Sequence, residues 1–169
     1  MTENLPISRA LNAGLRRALE TNDRVLLMGE DIGPLGGVFR VTEGLQKDFG
    51  PRRVIDSPLA ESGIVGTAIG LAMGGFRPVL EIQFDGFVFP AFDQITSQLA
   101  KLTNRHEGAL QMPVVIRIPY GGHIGAVDAL RGGGQVVVEL VADGAAATAK
   151  GKGKSTAEDD DDGYHTESD

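Results

Sequence analysis

Residues 54–84 read VIDSPLAESGIVGTAIGLAMGGFRPVLEIQF, and this stretch decides the fold class. Val54-Ile55 is a short apolar run that stops at Asp56-Ser57-Pro58, as expected for a buried strand followed by a turn. The segment from Glu61 to Met73 has helical character despite its glycines, and Val79 to Phe84 is again typical of a strand. A strand, a helix and a second strand in succession favour parallel strands covered by the helix.

The same alternation continues on both sides of this stretch. Towards the N-terminus, an amphipathic helix is predicted over Ile7 to Leu19 and a buried strand over Val25 to Met28, with a short helix at Leu45 to Phe49. Towards the C-terminus, helical periodicity runs from Pro90 to Leu102 and a strand from Pro113 to Ile118. The predicted fold class is α/β, with a mostly parallel sheet flanked by helices.

Length and composition are those of an ordinary globular domain. The chain has 169 residues, is 41% hydrophobic and 23% charged, and contains no cysteine, which excludes disulfides, thiolate metal sites and a cysteine nucleophile. No apolar window is long enough for a transmembrane helix, and the N-terminus does not read as a secretion signal, so we expect no membrane association and a cytoplasmic location.

The acidic charge is concentrated at the C-terminus. Residues 128–169 contain 10 acidic and 4 basic residues, a net of −6 out of the total of −7. The remainder offers no basic stripe for phosphates, so nucleic acid is not an expected partner. We expect a domain at 1–127 and a low-complexity acidic tail at 128–169, mostly disordered, with one possible strand at Val136 to Val141. The alternative for the tail is docking on a basic partner.

The candidate site follows from the predicted sheet. In parallel α/β sheets ligands bind beyond the carboxyl ends of the strands, and the residues there include Glu30, Glu61 and Phe87. Two carboxylates and an aromatic ring would therefore meet at one edge. The competing interpretation, favoured on position alone, is that Glu61 only stabilises the positive N-terminus of the following helix.

Other motifs give weaker or negative indications. Gly66, Gly70 and Gly74 share one helical face, which favours close packing, within the domain or between subunits, over a phosphate-binding loop because no lysine follows in the required place. The histidines lack the spacing of metal ligands, and no Gly-x-Ser-x-Gly sequence supports a serine hydrolase.

In order along residues 5–127, the motifs of the chain resemble the N-terminal domain of the beta subunit of thiamine-diphosphate-dependent 2-oxo acid dehydrogenases. The resemblance rests on MGEDIG (28–33), GGVF (36–39), IDSPLAESGIVG (55–66), RPVLEIQF (77–84), FPAFDQI (89–95) and PVVIR (113–117). It implies a pyrimidine-binding domain and an enzyme that oxidatively decarboxylates a 2-oxo acid and transfers the acyl group to lipoamide.

The resemblance also implies roles for individual residues. Glu61 would exchange a proton with a ring nitrogen of the thiamine pyrimidine, which suits a carboxyl group shielded from water. Leu59 and Phe87 would pack against that ring, Phe87 by stacking, and Glu30 would line the same pocket. The backbone carbonyls of Met112, Val114 and Val115 would bind a potassium ion.

Partners follow from the same resemblance. An alpha subunit would hold magnesium and the diphosphate, a second beta subunit would complete a heterotetramer, and a dihydrolipoyl acyltransferase core would accept the acyl group. After residue 127 the family's histidine and serine segment and its second domain are not matched, and His123 belongs to the preceding loop. We therefore expect a truncated subunit that is inactive alone. The alternatives are a non-catalytic interaction domain and a transketolase-like relative. The resemblance of residues 77–94 slightly favours branched-chain 2-oxo acids over pyruvate as the substrate.

Overall fold

The computed structural model describes residues 5–119 and 136–138. The fold is α/β, as predicted. Its strands are β1 (Val25–Gly29), β2 (Val54–Asp56), β3 (Arg77–Glu81), β4 (Val115–Ile118) and β5 (Val136–Val138), and its α-helices are α1 (Ile7–Thr21), α2 (Leu45–Phe49), α3 (Glu61–Met73) and α4 (Ala100–Arg105).

The strands form a sheet in the order β2-β1-β3-β4-β5. The first three pairings are parallel, and β4 pairs with β5 in antiparallel orientation. Because neighbouring parallel strands end at the same edge, the carboxyl ends of β1, β2 and β3 bring their following loops together. The predicted mostly parallel sheet is confirmed; the rest of the predicted tail at 128–169 lies outside the described residues.

Two apolar clusters cover the two faces of the sheet. On one face, Met28 and Leu80 pack against Ile64 and Ala68 of α3. On the other, Leu27 and Val54 pack with Leu19 of α1 and with α2. Strands that are buried on both faces carry continuous apolar runs, which explains why β1 reads as apolar throughout.

Helix α1 packs mainly through its C-terminal half. Leu19 is buried, whereas Ile7, expected on the same apolar face, is 62% exposed. Arg53 anchors the buried end, because its Nη2 donates to the carbonyls of Leu19 and Asn22 and its Nε to the carbonyl of Val25. The guanidinium thereby satisfies the Leu19 carbonyl in the last turn of α1 and ties that turn to the start of β1.

The sequence-based bounds were wrong in the segment after β3. The strand ends at Glu81 instead of Phe84, and residues Asp85–Ala91 form a 3-10 helix. The helix predicted over Pro90 to Leu102 is a π-helical stretch at Gln94–Leu99 followed by α4. Pro90 lies inside the 3-10 helix and not at the first position of an α-helix, where a proline would be accepted.

The glycine face of α3 is only partly packed. A methyl group on Gly66 would lie 3.6 Å from Oε1 of Gln94, but one on Gly70 would meet no atom of the described chain within 4 Å. A methyl group at Gly66 would thus make only an ordinary van der Waals contact, so the described residues show no approach at Gly66 or Gly70 that requires glycine. None of the helices in the described ranges has the length and apolar character needed to cross a membrane.

Candidate functional site

Glu30 and Glu61 meet at the carboxyl edge of the sheet. Glu30 directly follows β1, and Glu61 is the first residue of α3, which starts after the loop that leaves β2. Each side chain is only 6% exposed. Burial of two carboxyl groups side by side is unfavourable unless a proton, a hydrogen-bond donor or a ligand compensates their charge. The pair therefore indicates a ligand-binding site.

The electrostatics of the pair follow from this geometry. Burial raises the pKa of Glu30 above its ordinary value of 4.5, and the negative charge of Glu61 raises it further. The backbone of Ala60, which hydrogen-bonds to the carboxylate, opposes this increase, while the charge of Asp31 adds to it. Glu30 therefore keeps its proton to higher pH than an exposed glutamate does.

One oxygen of the pair is left without a partner. Glu30 Oε1 is buried and makes no hydrogen bond within the described residues, and the same holds for Oγ of Ser57 at the adjoining end of β2. Since Ser57 N–H donates to the carbonyl of Gly29 at 2.9 Å, the two strands place Ser57 next to Glu30. Buried oxygens without partners at one edge are a common property of sites that a ligand completes.

The helix-capping interpretation of Glu61 accounts for its position but not for its burial. Glu61 does lie in the first turn of α3, where an acidic residue is favoured. An ordinary first-turn glutamate, however, gains this stabilisation while exposed to water. Its carboxyl group is instead buried beside that of Glu30, so capping alone does not explain it.

The two apolar residues predicted to touch a ring are on the protein surface. Leu59 is 78% exposed and Phe87 is 44% exposed. Phe87 lies in the 3-10 helix after β3 and packs edge-on against Phe84, with 5.6 Å between the ring centroids. Both lie in the connections that follow strands at the carboxyl edge and are open to a ligand or a partner surface. Their predicted contacts with a ring stay predictions.

A glycine-rich loop supports the backbone around Glu30, and its contacts were not apparent from the sequence. Gly37 N–H donates to the carbonyl of Asp31 at 2.9 Å, which closes the loop on itself. Gln83 Nε2 donates to the carbonyl of Glu30 at 3.4 Å and to Oδ2 of Asp31 at 3.2 Å. Asp31 has a positive φ of 57°, an uncommon conformation for a residue other than glycine, which these contacts hold in place.

A buried ion pair lies beneath this loop. Glu81 and Arg117 are register partners on β3 and β4 and form an ion pair, with side chains 3% and 7% exposed. Burial lowers the pKa of the Arg117 guanidinium to about 10, which leaves it charged at neutral pH. Arg117 Nη1 has no hydrogen-bond partner among the described residues. The motif strings that contain both residues were visible in the sequence, but their pairing depends on the strand register.

The predicted potassium ligands lie at the start of β4. Met112 and Val114 are buried, and the carbonyl of Met112 accepts a hydrogen bond from Val114 N–H at 2.8 Å, which leaves that oxygen one further lone pair. In the described ranges no group of three or more His, Asp or Glu side chains could hold a metal ion. A potassium ion bound through backbone carbonyls stays a prediction.

Comparisons with known proteins agree on one family. The family model described as "Transketolase, pyrimidine binding domain" matches residues 3–127. The pyruvate dehydrogenase E1 component subunit beta of Leifsonia xyli subsp. xyli (strain CTCB07) is 73% identical over 126 residues, which are 75% of this chain and 37% of that protein. The 3-methyl-2-oxobutanoate dehydrogenase subunit beta of Mycobacterium tuberculosis (strain ATCC 25618 / H37Rv) is 54% identical over 128 residues, 76% of this chain and 37% of that protein. The chain thus spans just over a third of the length of these relatives.

Proposed function

Because the chain belongs to the family of transketolase pyrimidine-binding domains, we propose that it is the pyrimidine-binding part of a 2-oxo acid dehydrogenase beta subunit. In this function it holds the aminopyrimidine half of thiamine diphosphate at the carboxyl edge of the sheet. The observation that carries the proposal is the buried pair of Glu30 and Glu61, in which one oxygen of Glu30 has no hydrogen-bond partner in the described part of the chain.

The residues present fit an aminopyrimidine. Such a ring offers nitrogen acceptors and an exocyclic amine, so it both needs a proton donor and supplies N–H donors. Glu30 Oε1 is a buried acceptor to which no described residue donates, and a carboxyl group that carries a proton is a donor. Burial and the charge of Glu61 raise the pKa of Glu30, so Glu30 can act as a proton donor to higher pH than an exposed glutamate.

Glu61 is proposed as the group that exchanges a proton with a pyrimidine ring nitrogen. When bound, thiamine diphosphate supplies a thiazolium ring that acts as an electron sink for decarboxylation. Glu61 contributes by holding or releasing a proton at the ring nitrogen, and its burial strengthens this interaction because water does not screen it. Glu30 lines the same pocket, and Leu59 and Phe87 are proposed to contact the faces of the ring.

The complete reaction requires other chains. We propose an alpha subunit that holds magnesium and the diphosphate, a second beta subunit, and a dihydrolipoyl acyltransferase core that accepts the acyl group. Support comes from the relatives, which are named as subunits of dehydrogenases. Their names cover both pyruvate and 3-methyl-2-oxobutanoate, so the substrate is proposed as a 2-oxo acid of either class.

The proposal is tested by combining the chain with an alpha subunit of this enzyme class. Assembly is followed by size, cofactor affinity by calorimetry, and exchange of the thiazolium C2 proton with deuterium by NMR. Glu61→Gln should leave assembly intact and slow the C2 exchange at least about 100-fold, the usual contribution of a positioned acid or base. Glu20→Gln, an exposed substitution on α1, is the matched control and should change neither.

Each outcome of this experiment has a meaning for the proposal. Normal C2 exchange in the Glu61→Gln complex would show that Glu61 does not have the proposed role. A complex that forms but binds no cofactor would favour a non-catalytic interaction domain.

The potassium proposal is tested separately, by comparing the melting temperature of the protein in potassium chloride and in tetramethylammonium chloride. Equal melting temperatures would refute it.

A further inference from the structure

The ion pair of Glu81 and Arg117 joins β3 and β4 on the face of the sheet that carries Leu27 and Val79. Both side chains are almost fully buried on the face that α1 and the glycine-rich loop cover. Removing two charges from water is expensive, and apolar residues of similar size are often at least as stabilising in such positions. A buried pair at this place therefore calls for a role other than stability.

Glu81 holds the loop as well as the arginine. Its Oε1 accepts a hydrogen bond from Val38 N–H at 2.7 Å, so one carboxylate joins β3, β4 and the loop. The contact is close, because a methyl group on Gly37 would lie 2.8 Å from Thr42 Oγ1 and 3.0 Å from both carboxylate oxygens of Glu81. Gly37 also has φ 70° and ψ −179°, a conformation essentially limited to glycine.

The backbone of the loop connects the anchored Val38 to Glu30. The residue before Val38 is Gly37, whose N–H donates to the carbonyl of Asp31 at 2.9 Å. Asp31 directly follows Glu30, and its backbone has the strained left-handed conformation. A fixed Val38 therefore fixes Gly37 and Asp31, and with them the direction in which Glu30 leaves β1.

We propose that Glu81 and Arg117 are positioning residues: the pair anchors the loop at Val38 and thereby holds the carboxyl group of Glu30 against that of Glu61. The meaning of this positioning for catalysis rests on the proposed function of the site, but the positioning itself does not. Among the described residues, neither side chain forms a hydrogen bond or ion pair with Glu30 or Glu61. Arg117 acts by orienting the Glu81 carboxylate, and Glu81 acts through the loop backbone.

The test displaces the loop while leaving both charged residues in place. Gly37→Ala introduces a methyl group against Thr42 and Glu81. Gly50→Ala is the matched control, because Gly50 has a similar backbone conformation, φ 83° and ψ 163°, and its added methyl would meet no atom of the described residues within 4 Å. The readout is the pKa of Glu30, measured by NMR of carboxyl-labelled glutamate and assigned with Glu30→Gln. Circular dichroism establishes that each variant is folded.

We expect the midpoint of Glu30 titration to move to lower pH in Gly37→Ala, since the carboxyl group leaves Glu61 and gains solvent. It should stay at the parent value in Gly50→Ala. An unchanged midpoint in folded Gly37→Ala, or an equal change in both variants, would overturn the proposal. A merely structural role of the pair would lower the melting temperature without moving this titration.

If Gly37→Ala does not fold, hydrogen exchange in the unsubstituted chain tests whether the loop is anchored at Val38. The amides of Gly37 and Val38 should exchange at least about 100-fold more slowly than in an unfolded chain, because both are hydrogen-bonded within an anchored loop. Exchange at the unprotected rate would refute the anchoring. None of these measurements uses thiamine diphosphate. If they show the positioning of Glu30 but the complex with an alpha subunit binds no cofactor, only the proposed function is refuted.

Discussion

The carboxyl groups of Glu30 and Glu61, one at the end of β1 and the other at the start of α3, form a buried acidic pair at the carboxyl edge of the sheet. The sheet order places them there, because β1 and β2 are neighbours and both end at this edge. Two buried carboxylates repel each other when both are charged. A proton or a hydrogen-bond donor of a ligand placed between them relieves this repulsion.

The first prediction concerns the pH dependence of stability. Because the pKa of Glu30 is raised on folding, its contribution is fully favourable below the ordinary value of 4.5 and is lost as the pH rises through the folded-state pKa. Glu30→Gln should therefore unfold at a higher urea concentration than the parent at pH 7.5, and the difference should vanish near pH 4. A difference that is the same at both pH values would contradict this explanation. Glu20→Gln, whose side chain is exposed, serves as control.

A second prediction uses the buried ion pair in a double-variant cycle. Arg117→Met alone leaves the Glu81 carboxylate buried without its cation and should lower the free energy of unfolding by roughly 3–5 kcal/mol. In the double variant Glu81→Gln with Arg117→Met, the amide oxygen can still accept from Val38 while no charge remains buried. We expect the double variant to be more stable than Arg117→Met, as measured by urea unfolding. Glu81→Gln alone completes the cycle. If the losses of stability of the two single variants simply add in the double variant, Glu81 and Arg117 are not coupled.

A third prediction compares two adjacent arginines. Arg53 donates to three backbone carbonyls at the end of α1 and the start of β1, whereas Arg52 is exposed. Arg53→Ala should lower the free energy of unfolding by about 2–3 kcal/mol, because three hydrogen bonds from a charged donor to partly buried carbonyls are lost. Arg52→Ala should change it by less than about 0.5 kcal/mol. Similar losses for both variants, measured by thermal or urea unfolding, would show that the carbonyl contacts contribute little.

The sequence predicted the elements whose pattern is local. The bounds of α3 and α2 are those that the sequence predicted, and the acidic edge at Glu30 and Glu61 followed from the rule that ligands bind beyond the strand ends. The pairing of Glu81 with Arg117 was missed, since it depends on which residues face each other across β3 and β4. The 3-10 and π-helical turns after β3 were also missed, because Pro90 sits inside a segment whose apolar spacing resembles that of an α-helix.

The exposed Phe87 gives the last prediction, which tests how the ring is held. If Phe87 stacks on the aminopyrimidine in the complex with an alpha subunit, Phe87→Leu keeps apolar bulk but removes the aromatic face. An aromatic pair contributes about 0.5–1.5 kcal/mol beyond burial, so the dissociation constant of thiamine diphosphate should rise about 2- to 12-fold. Phe89→Leu is the matched control, since Phe89 lies on the same 3-10 helix and is 74% exposed. Assembly with the alpha subunit should be equal for both, and calorimetry of the assembled complexes measures the affinity. An equal loss of affinity in both variants would place the effect in the subunit contact, because only Phe87 is proposed to reach the ring.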